Sequence, residues 1–263
     1  MRIIWSKSRA DCLARCRREF FFRYWWRPDE AESESDRLIA GLRKLTRLED
    51  RIYRILREVM HTAESPSAAA DELWRRWLIC RAVEPDNFVE LYFNRESFPE
   101  FAERGNRLIR SVVAALKTRR SELWSGTRLS LDTPLNFSLG DIQIYTAPFG
   151  LTSVDGGVVF LQLAERRCEL TAALLRFYAL NALNIAPDRC ECRFFNPFTG
   201  ALASPALDGM NFTSVCDTVG AEAEHIASAL PPEIVSAGGF AAIPPNRAQC
   251  GNCVFKSACF PWK

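Results

Sequence analysis

Residues 129–163 read LSLDTPLNFSLGDIQIYTAPFGLTSVDGGVVFLQL. Upstream, apolar residues recur at helical spacing; from Leu129 onward the period changes to that of strands. Asn136, Ser138 and Gly140-Asp141 punctuate short strands expected over 131–137 and 141–147. Asp155-Gly156-Gly157 is a hairpin-turn signal, because Asp and Gly accept the positive φ of tight turns. Val158 to Leu163 is a short, mostly apolar run of the kind a buried strand needs. Residues 165–183 then return to helical spacing, and Cys190, Cys192 and Phe194 alternate, which predicts a strand over 189–195. Strand, helix, strand in that order defines an α/β class.

Working outward, residues 2–7 read as an extended lead-in. Ser8 is positioned to cap a helix over Arg9–Trp26, with Cys12, Leu13, Cys16, Phe20 and Tyr24 on one face. Arg27-Pro28 ends it, and the acidic stretch Asp29–Asp36 reads as a loop. Leu38, Leu42, Leu45, Leu48, Ile52, Ile55 and Val59 mark one long amphipathic helix. His61–Ala70 reads as a connection, followed by helices over 70–80, 87–94 and 98–121. A helix over 209–229 precedes Pro231-Pro232 and a Gly/Pro-rich tail.

The 263 residues are 48% hydrophobic and 25% charged, a globular profile. No run of eighteen apolar residues exists, which argues against a membrane span. No secretion signal is evident, so a cytoplasmic location with reduced thiols is expected. The net charge of +2 declares no nucleic-acid binder, but the charge is uneven. Arg2, Lys7, Arg9, Arg15, Arg17, Arg18, Arg23 and Arg27 face only Asp11 and Glu19 over the first 27 residues. Arg outnumbers Lys by 29 to 5 among the 34 basic residues, which suits bidentate phosphate contacts but also follows from a GC-rich base composition. With two histidines, His61 and His225, and no nucleophile elbow or Gly-rich phosphate loop, Ser-His-Asp, Cys-His and P-loop chemistries are disfavoured. Tyr24-Trp25-Trp26 suits either base stacking or burial, and Cys190 with Cys192 either a metal or the core.

Three of the ten cysteines are clustered. Cys250, Cys253 and Cys259 form C-x2-C-x5-C within RAQCGNCVFKSACFPW, residues 247–262. Gly251 permits the turn that brings two ligands to one metal. Three thiolates need a fourth partner to complete an iron–sulfur or zinc site.

The order of these features resembles the RecB-like branch of the PD-(D/E)XK nuclease superfamily. The resemblance is carried by WSKSRADCLARCRREFFFRY (5–24) and IPPNRAQCGNCVFKSAC (243–259), and more weakly by IAGLRKL (39–45), FSLGDIQIY (137–145) and GGVVFLQLA (156–164). It implies a restriction-endonuclease-like core, a mixed sheet flanked by helices. One unit, 1–263, would comprise a helical part (1–125), an α/β core (126–230) and a Cys-rich tail (231–263) closing on the first helix. It further implies a [4Fe–4S] cluster held by Cys16, Cys250, Cys253 and Cys259, with zinc as the alternative. Cys12, one turn before Cys16, competes for the first place.

The same resemblance implies a metal-binding Asp on one strand, an (Asp/Glu)-x-Lys on the next, a His on an early helix and a Gln on a later one. The corresponding positions here are Gln143, Gln162, Ala164, Leu45 and Leu174. None offers the charged oxygen that Mg²⁺ or Mn²⁺ requires, so no catalytic Mg²⁺ is expected. A migrated site would use Asp141 with Glu165 or Glu169 and Arg166 or Arg167. The expectation is therefore a non-cleaving nuclease fold that binds DNA through Arg9, Arg15 and Arg18, or scaffolds a protein partner in a DNA-processing or defence complex, away from membranes. An active exonuclease with a migrated site and a structural partner without nucleic-acid contact are the alternatives.

Overall fold

The computed structural model describes residues 3–26, 33–129, 131, 134–164, 168–206, 211–229, 243 and 245–260. The chain divides into two compact units. One comprises Met1–Leu45, Ser138–Tyr145 and Cys216–Lys263; the other comprises Thr46–Phe137 and Thr146–Val215. The mixed α/β class stands, with eight strands in two sheets among the described residues.

The larger unit is a five-stranded sheet with helices on both faces. Strands β2 (Thr127–Arg128), β5 (Gly150–Val154), β6 (Gly157–Leu163), β7 (Cys190–Asn196) and β8 (Ala201–Ala203) lie in that order. β5 and β6 are antiparallel across the Asp155-Gly156 turn, where φ is +48° and +75°. β6 and β7 are parallel, joined through α9 (Cys168–Ala182), because a parallel pair needs a crossover connection. β6 is buried on both faces, which is why its residues are nearly all apolar. Its odd residues Val159, Leu161 and Leu163 pack with α4 (Leu48–Thr62), α5 (Pro66–Val83) and α7 (Phe98–Thr118). Val158 and Phe160 point the other way, onto Ala172, Leu175 and Ala179 of α9 and onto Cys190, Cys192 and Phe194. Those two cysteines are therefore core residues. Short helices α6 (Val89–Tyr92) and α8 (Arg120–Leu123) complete the helical layer.

The smaller unit carries β1 (Ile3–Trp5), which runs parallel to β4 (Ile142–Thr146); β3 (Leu135–Leu139) is the third strand of that sheet. The expected helix over Arg9–Trp26 is broken. α1 (Lys7–Arg15) is capped by Ser6, not Ser8; Cys16 is extended at φ −162°, ψ 117°; α2 (Arg17–Phe20) then opens into a π-turn over Phe21–Trp25. α3 (Glu34–Lys44) starts from a capping box of Ser33 and Asp36, inside the stretch read as an acidic loop. The long helix expected from Leu38 to Val59 is two helices, α3 and α4. The interruption is tertiary in origin. Thr46 forms a parallel bridge with Phe88, its N–H donating to Asn87 O at 2.9 Å and its carbonyl accepting from Val89 N at 3.1 Å. Ser65 and Pro66 start α5 four residues earlier than expected. α10 (Phe212–Ser228) corresponds to the helix expected over 209–229. No helix among the described residues is long and apolar enough to cross a membrane.

Two glycines in helices make opposite demands. A Cβ on Gly105 of α7 would lie 2.1 Å from Cζ2 of Trp77, a fully buried ring. Gly41 of α3 has nothing within 4 Å of the same position. Gly105→Ala is expected to destabilise by about 1–3 kcal/mol through overpacking. Gly41→Ala should stabilise by roughly 1 kcal/mol through helix propensity. Urea unfolding of both variants checks the pair; equal effects would contradict the packing of Trp77 on Gly105.

Candidate metal centre and the chain-end staple

Within the smaller unit, the first helices and the C-terminal tail are held together by directed polar contacts. Arg18 is 6% exposed. Its Nε donates to Ile243 O at 2.7 Å and its Nη1 to Cys259 O at 3.2 Å. Asn246 Nδ2 donates to Arg15 O at 2.9 Å, beside Cys16. Phe22 packs on Phe255 with ring centroids 5.2 Å apart, and both rings are buried. Arg17 donates to Ala229 O at 2.5 Å, and Trp5 Nε1 to Glu222 Oε2 at 3.0 Å. A buried guanidinium keeps its charge, so its donors must find acceptors, and the tail carbonyls supply them.

The tail that carries Cys250, Cys253 and Cys259 is thus tied to the helices on either side of Cys16. Burial pushes the Cys253 thiol up to about 11, with Glu19, Cys259 and Cys16 adding to it. Burial likewise raises Cys259; Arg18 opposes this, while Cys16 and Cys250 add to it. Cys16 and Cys259 thus act electrostatically on Cys253, and Cys16 and Cys250 on Cys259. Cys12 is 2% exposed, and burial pushes it up to about 12. Among the described residues no group of three or more His, Cys, Asp or Glu stands at metal-holding geometry. The thiols are of the right kind for a thiolate-ligated group, but they do not stand in a ligating arrangement. Cys250 Sγ is meanwhile turned to Asn246 O at 3.4 Å.

Of the arginines assigned to DNA, Arg18 is corrected outright: it is buried and its donors serve the tail. Arg15 chelates Glu19 at 3.0 Å through Nε and through Nη2, and Arg23 Nε joins the same carboxylate at 2.8 Å. Arg9 lies over the Tyr24 ring, 5.1 Å from its centroid, and donates to Ile4 O at 3.3 Å. The aromatic run is engaged as well: Trp26 Nε1 donates to Asp36 at 3.2 Å, and Arg43 donates to Trp26 O at 2.8 Å. The Glu19 cluster is a feature that sequence reasoning missed, although the i, i+4 spacing of Arg15, Glu19 and Arg23 was available.

The positions assigned to catalysis are not assembled on adjacent strands. Gln143 lies on β4 of the three-stranded sheet, whereas Gln162 lies on β6 of the five-stranded sheet. The antiparallel neighbour of β6 is β5, which reads Gly-Leu-Thr-Ser-Val and carries no carboxylate. Gln162 is 6% exposed, and its Oε1 accepts from Leu163 N at 3.3 Å. Ala164 is partly buried against the α9-side core, Leu174 of α9 is buried, and Leu45 ends α3 buried. Asp141 is exposed in the β3–β4 turn and Glu169 exposed at the start of α9; Glu165, Arg166 and Arg167 lie outside the described residues.

Comparison with protein-family models, with curated proteins and with solved structures returns no match.

The Glu19 cluster sets a pH dependence. Burial raises the Glu19 carboxyl, but hydrogen bonds and charge from Arg15 and Arg23 outweigh it and hold the group below its usual range. A depressed folded-state pKa contributes stability above the ordinary Glu value, lost as pH falls through the folded one. Arg15 and Arg23 side chains are 46% and 35% exposed, so solvent screening reduces the effect. Glu19→Gln is expected to cost about 1–2 kcal/mol at pH 7. Thermal melts from pH 7 to pH 3 should show the gap between variant and parent closing below about pH 4.5. A gap constant with pH would contradict the assignment.

Proposed function

We propose that the chain is a cluster-stapled protein on the RecB-like nuclease plan that does not cleave, and that it serves a DNA-processing complex as a DNA-binding subunit. The observation that carries the reading is the tie of the tail that carries Cys250, Cys253 and Cys259 to the helices around Cys16, made by Arg18 and Asn246. These four thiols would hold a [4Fe–4S] cluster, and binding it would contribute folding free energy to the chain ends. The hairpin β5–β6 followed by α9 and parallel β7 is compatible with a nuclease-type core. Among the described residues, the face of β6 that carries Gln162 is packed with Phe160, Phe194 and α9, which supports a reading without catalytic Mg²⁺. The internal engagement of Arg15 and Arg18 favours a second reading, a scaffold that touches protein alone.

Anaerobically purified protein is expected to contain about four iron and four sulfide per chain. Cys16→Ala or Cys253→Ala should lose the iron and loosen the tail to protease, while Cys12→Ala should keep it. Stoichiometric zinc without iron would replace the cluster by a zinc site, and neither metal would overturn the reading.

For DNA, fluorescence anisotropy should give binding that weakens as salt rises, since phosphate contacts release counterions. Arg9→Gln, which spares the staple, should weaken binding without altering sequence preference. Mg²⁺ should produce no cleavage and no rise in melting temperature. Undetectable binding to single- and double-stranded DNA at low salt would decide for the protein scaffold. Mg²⁺-dependent cleavage abolished by Asp141→Ala or Glu165→Ala would decide for a migrated active site.

A further inference from the structure

In the larger unit, cationic donors gather between the C-terminal end of α4 and the β2 edge of the sheet. Arg128 on β2 is the Cα partner of Thr152 on β5, and Thr152 is in turn the partner of Val159. Directly paired residues in antiparallel strands share a face. Arg128 and Thr152 therefore point to the side of the sheet that carries Val159 and packs with α4. One arm of the guanidinium is used: Nη1 donates to Ala63 O at 2.7 Å, the carbonyl that also accepts from Trp124 Nε1 at 3.3 Å. The other arm is not. Arg128 Nη2 is buried without a hydrogen-bond partner, and so is the hydroxyl of Thr152, a residue 3% exposed. Gly150 leaves room for that arm: a Cβ there would stand 3.2 Å from Nη2.

Positive charge accumulates at the same place. Arg57 and His61 are four residues apart on α4 and so share its face. His61 is held below its usual range first by burial and then by the charges of Arg128 and Arg57. Burial pulls Arg128 down, with no carboxylate acting against it. Among the described residues its charge meets the face of the Trp124 ring, 5.9 Å from Cζ to the centroid, and no carboxylate. A bridging water would satisfy Nη2 and the hydroxyl, but it would leave the charge unbalanced. A tetrahedral oxyanion answers both needs, because it presents several acceptor oxygens and negative charge to an arginine fork.

We propose that Arg128 and Thr152, flanked by Arg57 and His61, form a binding site for a phosphate group. The chemistry is shared by a terminal phosphate on a nucleic-acid strand and by free phosphate or a mononucleotide. The site is independent of the cysteine cluster and of the arginines near the N-terminus.

The test uses the full chain and inorganic phosphate, titrated calorimetrically at constant ionic strength against chloride. Saturable binding and a rise in melting temperature are expected with phosphate. Thr152→Val keeps the side-chain shape and removes the orphan hydroxyl; it should fold, melt no lower than the parent, and bind phosphate roughly tenfold more weakly, the order lost with one charge-assisted hydrogen bond. Arg128→Gln should abolish binding, with circular dichroism to verify that the Ala63 contact is not essential for folding. A parent that responds equally to phosphate and chloride, or a Thr152→Val variant that binds phosphate unchanged, would overturn the proposal. Competition then separates the sources. Stronger displacement by a 5′-phosphorylated oligonucleotide than by its 5′-hydroxyl twin identifies a strand end. Displacement by a nucleoside monophosphate, with no difference between the two oligonucleotides, identifies a free ligand. DNA binding that persists in Arg128→Gln but fails in Arg9→Gln would belong to the N-terminal surface alone.

Discussion

A guanidinium cannot shed its charge on burial, and Arg18 makes that constraint organise the smaller unit. It is almost fully enclosed, and its donors go to Ile243 O and Cys259 O, backbone acceptors more than 220 residues away in sequence. Leaving such a charge uncompensated would cost several kcal/mol, so the tail is committed to lying along α2. The break at Cys16 belongs to the same arrangement. An extended residue there ends α1 and lets α2 start afresh, with Cys16 in the range of Cys253 and Cys259. Directed contacts thus tie the tail to the first helices without any metal.

Much of the larger unit could be read ahead of the structure because its strongest signals are local. The Asp155-Gly156 turn requires positive φ, and β6 requires apolar residues on both faces; both leave direct marks in the sequence. β5 escaped because Gly150, Thr152 and Ser153 do not alternate in polarity, although the hairpin turn demands a strand before it. The division between α3 and α4 escaped for a different reason. Leu42, Leu45 and Leu48 continue one periodic stripe through the break, with no Gly or Pro to signal it. The interruption is imposed by Thr46 pairing with Phe88, a contact between residues 42 apart. Periodicity reports a face to be buried; it does not report where a distant strand-like segment will interrupt the helix.

The candidate sites divide in the same way. C-x2-C-x5-C is a local spacing, and hydrogen bonds tie the tail that carries it to the helices around Cys16. The role of Arg18 was not local: basic residues clustered on a short segment look alike in sequence, whether they face solvent or serve as internal donors. Arg128 drew no notice at all. Its unsatisfied arm arises from strand pairing with Thr152 and from the small side of Gly150, neither of which a linear pattern displays.

Among the described residues, β6 is flanked by β5, which carries no carboxylate, and by β7, where Glu191 pairs with Val159 on the face opposite Gln162. Counting from Gly140 assigns the first acidic position to β4, yet the strand that hydrogen-bonds β6 in antiparallel register is β5. Moving the assignment to β5 supplies glycine, aliphatic and hydroxyl side chains. Gln162 turns its amide oxygen to its neighbour's N–H, within a face closed by Phe160, Phe194 and Leu175. A hard divalent cation needs several charged or carbonyl oxygens directed into one space. Among the described residues the neighbours on this face are apolar, and burying a carboxylate at 162 would carry a desolvation cost. Accommodating one would therefore mean repacking α9 on this face of the sheet.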